Sequence, residues 1–416
     1  MQTNKLIAWL NKQKKINKLK IKKKRYQNLI QWKFDENLIY HKTKNFFSIK
    51  PFLCTQGNVT WFQPLIIQKE QGILGIIKKK IKNKSYYLLQ TKIEPGNING
   101  VQISPTVQAT KSNYLRKHGG KKTIFLDYFL KKKKVKILSN LKLSEQGSRF
   151  LNKKNRNILI EVKKFPNKLK ENFCWLSKEN IKYLICKKNI INMDTISVFS
   201  SVIKKNQFDL PINTKKDLNL KLNKYNRKLI QQRFPIKFKD LKNWKIRNFS
   251  ISDIKKNFFS IFFIDVKANS REVINWEQPI ISDHYVSLNG FLTSQINKTT
   301  HYLLKVINEA GRNQCQFTST ISEKNFTFKL PKKVDFKSFF YKKNYLLDII
   351  NSDEGGRFLK NQTRNIICEV KEYKKINIKD KFIWASHNQI VELINQNKIT
   401  IEARNLFASY NIDKIT

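Results

Sequence analysis

Glycine, proline and methionine are scarce in this chain of 416 residues, at 12, 9 and 2 copies. That scarcity excludes collagen-like and Gly/Pro-rich low-complexity architectures. The five cysteines, Cys54, Cys174, Cys186, Cys315 and Cys368, stand far apart and never form a C-x-x-C pair. A disulfide framework and a zinc site of local spacing are therefore not supported, and the thiols read as buried and reduced. The five histidines are equally dispersed, with no H-E-x-x-H pattern. No apolar run approaches the ~18 residues needed to span a bilayer, and the apolar stretch at residues 6–10 is too short for a signal-peptide core. Acidic residues are the last shortage. With 30 Asp+Glu against 83 Lys+Arg the formal charge is +53, and the first acid is Asp35. Self-repulsion of that size argues against a free-standing metabolic enzyme and for a polyanionic or acidic partner.

What the chain does have is aromatics, 29 Phe, 14 Tyr and 7 Trp, enough to build cores and to exclude disorder. It also repeats itself. Lys44-Asn45-Phe46-Phe47-Ser48-Ile49 recurs letter for letter as Lys256-Asn257-Phe258-Phe259-Ser260-Ile261, and Trp61-Phe62-Gln63-Pro64 returns as Trp276-Glu277-Gln278-Pro279. Residues 144–163 match 352–371 at 11 of 20 positions, and Trp175 with Ser177 returns as Trp384 with Ser386. The order never changes, so a tandem duplication covers nearly the whole chain. The matched residues are mostly Trp, Phe, Gly, Pro and aliphatics, which fold proteins rather than catalyse reactions. Trp61/Trp276, Trp175/Trp384 and Phe150/Phe358 are expected to be buried at equivalent places.

Short β-branched and aromatic runs such as Ile158–Val162, Ile366–Val370 and Ser260–Val266 predict strands. Gly147 and Gly355-Gly356, in acidic turns, predict positions needing φ > 0. Ser177 and Ser386 each cap one short helix. The expected fold is mainly β (α+β): a basic segment 1–43, a β-rich unit 44–190, a polar basic linker 191–255 and a second β-rich unit 256–416, each unit with one short helix.

Chemistry is hard to find. There is no P-loop, G-x-G-x-x-G, G-x-S-x-G or metal-ligand spacing. Asp353-Glu354, matched by Glu145, could bind Mg²⁺ but reads as a solvated turn. His118-Gly119-Gly120 could be an oxyanion loop but reads as a plain turn. No catalytic residue, metal ligand or cofactor is assigned in this chain. The basic runs Lys22-Lys23-Lys24-Arg25, Lys78-Lys79-Lys80 and Lys131-Lys132-Lys133-Lys134 are the candidates for binding DNA or RNA. They would do so through phosphate, without sequence preference and with steep salt dependence.

The matched turn–strand–helix segments, Glu145-Gln146-Gly147, Ile158–Val162 and Trp175–Ile181, then Asp353–Gly356, Ile366–Val370 and Trp384–Ile390, resemble the repeated units in the β″ subunit of the plastid RNA polymerase. The resemblance implies tandem sandwich-barrel hybrid domains in a non-catalytic segment of that subunit. It implies the α, β and β′ core subunits and DNA or RNA as partners, no membrane, and an organelle-encoded place in the chloroplast. The A/T-rich codons of the abundant Lys, Asn, Ile, Phe and Tyr agree with it. The alternative is another organelle-encoded basic nucleic-acid-binding protein, ribosomal or intron-associated. A drifting duplicated reading frame or a membrane-associated import component comes third.

Overall fold

The computed structural model describes residues 2–117, 119–130, 132–166, 168–326, 336–341 and 345–416. Apolar alternation makes strands, and one ordered set of elements occurs twice. The first half runs α1 (Thr3–Ile16), β1 (Leu19–Lys23), β2 (Trp32–Phe34), β3 (Ile39–His41), β4 (Ser48–Gln56), β5 (Val59–Ile67), β6 (Ile73–Ile81), β7 (Lys84–Ile93), β8 (Val101–Ser104), β9 (Val107–Ala109), α2 (Lys111–Tyr114), β10 (Lys136–Ser144), β11 (Lys154–Glu161), β12 (Phe173–Ser177), α3 (Lys178–Ile185) and α4 (Met193–Ser200). The second runs α5 (Lys215–Lys228), β13 (Gln231–Pro235), β14 (Trp244–Arg247), β15 (Ser250–Asp253), β16 (Phe259–Ala268), β17 (Asn275–Asp283), β18 (Val286–Ile296), β19 (Thr299–Ile307), β20 (Gln316–Thr318), β21 (Ile321–Phe326), β22 (Tyr345–Ser352), β23 (Gln362–Glu369), β24 (Phe382–Ser386), α6 (His387–Asn395) and α7 (Ile401–Tyr410). The protein is mainly β with helices, in two repeated halves.

Each half has a larger sheet, ordered β10-β11-β6-β7-β12 with β8 and β9 alongside, and β22-β23-β18-β19-β24 with β20 and β21 alongside. The pairs β6–β11 and β18–β23 are parallel. The smaller sheets, β13-β4-β3-β2 with β5 and β1-β16-β15-β14 with β17, exchange a strand. Strand β1 of the first half pairs with β16 of the second, and β13 of the second pairs with β4 of the first. The segment 1–43, expected as a basic N-terminal segment outside the β-rich units, thus supplies α1, with Leu6 and Leu10 buried, and three strands.

One apolar cluster runs through both halves, including Tyr87, Phe199, Phe291, Tyr302 and Phe407. A second joins the smaller sheets around Phe150 and Phe358, whose rings meet edge to face at 5.9 Å. These two phenylalanines are buried as expected, and so is Trp384. Trp61, Trp276 and Trp175 are only half-buried. Trp61 and Trp276 keep equivalent roles even so: each indole N–H donates to the glutamine two residues on, at 2.9 and 2.8 Å.

Ser177 and Ser386 close capping boxes with Asn180 and Gln389. Each half carries a further helix beyond that one. Residues 193–200, expected in the linker, form α4, and all eight are buried. Its buried positions include Asp194, Thr195, Ser197 and Ser200, so burial on every side leaves no polar face opposite an apolar one to betray the helix. Residues 215–228, also read as linker, form α5, the counterpart of α1 at the same length of 14 residues.

Gly147, Gly355 and Gly356 are not at positive φ; the glycines that matter between the halves serve close approach instead. Gly96 N–H donates to Gly355 O at 2.7 Å and Gly311 N–H to Gly147 O at 2.6 Å. A Cβ on Gly96 would fall 1.6 Å from Phe358 O, and one on Gly311 1.9 Å from Phe150 O. Backbone cannot yield as a side chain tip can, so Gly96→Ala and Gly311→Ala should each cost more than about 4 kcal/mol. Denaturant titration checks this, and a loss below about 1 kcal/mol would show that the halves do not depend on these contacts.

Candidate active site

The turn after β10 carries Glu145, and its copy after β22 carries Asp353 and Glu354. Because the halves face each other, the two turns converge on one cavity of about 570 Å³. The first half lends it Lys92 and Glu94 from the end of β7, Glu145, Lys153 ahead of β11, and Asp194 in the first turn of α4. The second half lends Arg271, Glu354 and Arg357. Trp32, His41, Phe46 and Phe47 make an aromatic wall, and Trp32 is fixed by an indole N–H donated to Glu277 O at 2.6 Å.

The charges are held individually. Lys92 Nζ lies 3.3 Å from Glu94 Oε1 and donates to Gln108 O at 3.0 Å. Arg271 lies 3.8 Å from Glu94 and 3.6 Å from Glu272. Asn155 Nδ2 donates to Glu145 Oε1 at 2.8 Å, Gly356 N–H donates to Glu354 Oε1 at 3.0 Å, and Lys153 Nζ donates to Glu70 O. Burial, reinforced by the Glu94 and Glu145 carboxylates, pushes the Glu354 carboxyl up to about 7. Burial, with Glu145, Glu354 and Glu94 around it, holds Asp194 well above the usual carboxylate range. Burial brings the Lys153 ammonium down to about 8, with Glu145 opposing and Arg357 adding to the fall. A carboxyl at about 7, a second carboxyl held well above its ordinary range and an amine at about 8, in a cavity sized for a small molecule, form a general acid–base set.

The acidic turns are therefore not solvated. Glu145 is 5% exposed, and only the meeting of the two halves encloses it with Glu354. The basic runs sit in different local settings. Lys23 lies 4.3 Å over the Phe262 ring, Lys24 pairs with Glu277 at 2.7 Å, Arg25 lies over Phe249, and Lys22 is exposed on β1. Lys78 is buried and paired with Glu161 at 2.8 Å, with Lys79 and Lys80 following it on β6. Lys132, Lys133 and Lys134 are exposed in a loop; Lys131 and His118 lie outside the described residues. Among the described residues no three His, Cys, Asp or Glu side chains gather as a metal site, and no helix is long and apolar enough to cross a membrane.

Part of the chemistry sits where the two copies disagree. Equivalent backbone hydrogen bonds, Glu145 N to Lys153 O and Asp353 N to Asn361 O, Phe150 N to Gln146 O and Phe358 N to Glu354 O, set the alignment. Lys153 thus answers to Asn361, Glu354 to Gln146, and Lys92 to Ile307. Glu94, Glu145, Asp194 and Arg357 are instead matched by Glu309, Asp353, Glu402 and Arg149, so the mismatched Lys92, Lys153 and Glu354 were one signal for the site and the retained ionisable pairs another.

The family model for NDP-hexose 2,3-dehydratase matches residues 3–202 and again 219–410. Three curated relatives are each named dTDP-4-dehydro-6-deoxy-alpha-D-glucopyranose 2,3-dehydratase. The chain is 30% identical to one from Saccharopolyspora spinosa, over 98% of this chain and 91% of that one. It is 29% identical to one from Amycolatopsis orientalis, over 99% and 90%, and 28% identical to one from Streptomyces violaceoruber, over 96% and 95%. These matches overturn the resemblance to the plastid RNA polymerase β″ subunit. The polymerase core partners, DNA or RNA binding, the transcriptional role and the chloroplast location fall with it, since the relatives are bacterial enzymes of another class. The sandwich-barrel hybrid implied by that resemblance loses its basis. The short motifs that suggested it are turn and cap chemistry, which unrelated β-rich proteins share.

The raised carboxyl gives a stability prediction. Glu354 keeps its proton in the folded chain up to about 7, whereas its ordinary value is 4.5. The folded state therefore binds more protons between those values, and stability falls as pH rises through that window. Glu354→Gln, a mimic of the protonated form, should raise Tm at pH 8 by roughly a few degrees. The gain should shrink as the pH is lowered toward 5, as read by calorimetry.

Proposed function

This chain belongs to the NDP-hexose 2,3-dehydratase family, and from that premise we propose that its cavity binds a nucleotide-linked 4-keto-6-deoxyhexose and removes water across C2 and C3. The observation that carries the reading is the convergence of Glu354, Asp194 and Lys153, each displaced toward neutral pH, in one cavity built from both halves. The relatives' printed substrate, a dTDP-linked 4-dehydro-6-deoxyglucose, supplies the chemistry that such a set would serve.

The C4 carbonyl acidifies the C3–H bond and places the C2 hydroxyl β to it. A carboxylate takes the C3 proton, and the electron pair moves into the C3–C4 bond with negative charge on the C4 oxygen. As the charge returns, the C2–C3 double bond forms, the C2–O bond breaks, and the hydroxyl leaves as water with a proton from an acid. The product carries its double bond at C2–C3 and its hydroxyl on C3, an enol that passes to the 3-keto form. Electrons and atoms balance without an external oxidant or reductant.

Glu354 is the assigned base, because a carboxyl at about 7 is ionised at slightly alkaline pH yet basic enough to take a carbon-bound proton. Asp194, whose proton is held by burial and by neighbouring carboxylates, is the acid for the departing hydroxyl. The Lys153 ammonium stabilises the developing C4 oxyanion.

Incubating the purified chain with the dTDP-linked 4-keto-6-deoxyglucose should yield a product lighter by one water. No water loss under conditions where the chain is folded would overturn the reading. The kcat/KM profile should rise through about 7 as Glu354 ionises and fall above about 8 as Lys153 loses its proton. Glu354→Gln and Lys153→Met should each lower kcat by about 10²–10⁴-fold.

A further inference from the structure

We propose that Arg357 clamps the diphosphate of the nucleotide sugar and that Gln68 keeps it free to do so, an inference that rests on the dehydratase reading. The argument comes from the duplication, which supplies an internal comparison. Arg149 and Arg357 are equivalent: Ile66 N donates to Arg149 O at 2.8 Å and Ile281 N to Arg357 O at 2.9 Å. Each guanidinium donates to the preceding carbonyl, Ser148 O at 3.2 Å and Gly356 O at 2.9 Å. Each lies over an aromatic ring of the opposite half, Arg149 at 4.5 Å from Phe259 and Arg357 at 4.1 Å from Phe47.

They differ in one partner. Arg149 Nη2 lies 2.7 Å from Asp283 Oδ1, in a pair 5% and 3% exposed. Asp283 ends β17, and the register that aligns Trp61 with Trp276 and Gln63 with Gln278 places Gln68 at the matching position. Gln68 is buried and neutral, and its amide donates to Glu70 Oε1 at 3.1 Å. Among the described residues Arg357 is left without an ion pair; its Nε is buried with no hydrogen-bond partner, and its side chain lines the cavity. Of the other cations lining it, Lys92 lies 3.3 Å from Glu94, and Arg271, whose Nε and Nη1 make no hydrogen bond, still faces Glu94 at 3.8 Å and Glu272 at 3.6 Å, so both have the carboxylate neighbours in ion-pair range that Arg357 lacks. Lys153 is assigned to the sugar.

The diphosphate is the fixed anion of a nucleotide sugar. A planar guanidinium pre-oriented on a ring and lacking a protein carboxylate can meet phosphate oxygens through two parallel N–H bonds. An acid at residue 68 would neutralise Arg357 as Asp283 neutralises Arg149.

The test is calorimetric titration of the full chain and three variants with dTDP and with thymidine, which lacks phosphate. Arg357→Gln and Gln68→Asp should each weaken dTDP binding at least tenfold and leave thymidine within twofold. Asp283→Asn, at the equivalent position away from the cavity, should lower Tm but leave dTDP within twofold. Unchanged dTDP affinity in Arg357→Gln, a parallel loss of thymidine, or an equal loss of dTDP in Asp283→Asn would each overturn the clamp. If the wild-type chain removes water from the nucleotide sugar while Arg357→Gln keeps its dTDP affinity, the clamp fails and the dehydratase reading stands. A wild-type chain that neither binds dTDP nor removes water takes both down.

Discussion

The reciprocal exchange between the two halves is the constraint on which the rest of the structure depends. Strand β1 completes the sheet of the second half and β13 that of the first, so neither small sheet closes its edge from its own half. Gly96 and Gly311 bring backbone onto backbone at the crossing, and Phe150 and Phe358 fill the space beside them. Only this approach brings Glu354, Arg357 and Arg271 of the second half into one cavity with Glu94, Glu145, Lys153 and Asp194 of the first. Interlocking and site assembly are one event.

The duplication also explains how the site bears its electrostatic cost. Lys92, Lys153, Arg271 and Arg357 balance Glu94, Glu145, Asp194 and Glu354 within one cavity. Glu94 answers two of the cations, but burial still leaves Glu354 and Asp194 reluctant to ionise. A reluctant carboxyl costs stability above its ordinary pKa and gains basicity where the reaction needs it. In the second half the equivalent elements are tied off differently. Arg312 donates to Glu145 O and Lys153 O, and Arg404, fully buried, donates to Ser144 O and Ser197 Oγ. There arginines bind three backbone carbonyls and one serine hydroxyl.

Overall charge was a poor guide to function for a physical reason. A sum of +53 counts each lysine alike, whether it is solvated in a loop like Lys133 or buried against Glu161 like Lys78. Most of the excess is borne by exposed side chains, where water screens it. The cavity's four named basic residues, Lys92, Lys153, Arg271 and Arg357, are matched in number by its four named acidic ones, Glu94, Glu145, Asp194 and Glu354, and so are invisible in the total.

Periodicity and internal repetition made the β-rich class, the duplication and the capped helices α3 and α6 legible, because strand alternation and capping are local rules that a sequence carries openly. Helix α4 escaped because it is buried on every side, and α5 because a polar, lysine-rich surface helix reads like a linker. The site escaped for a different reason. Glu145 and Glu354 lie 209 positions apart, and nothing local distinguishes an acidic turn in water from one sealed beneath a second copy of itself. By itself the sequence determined that two like β-rich units would form. Which of their turns would face each other, and so which carboxyls would be desolvated into acids and bases, was decided only by the tertiary structure, because desolvation depends on what is brought near and not on what is next in the chain.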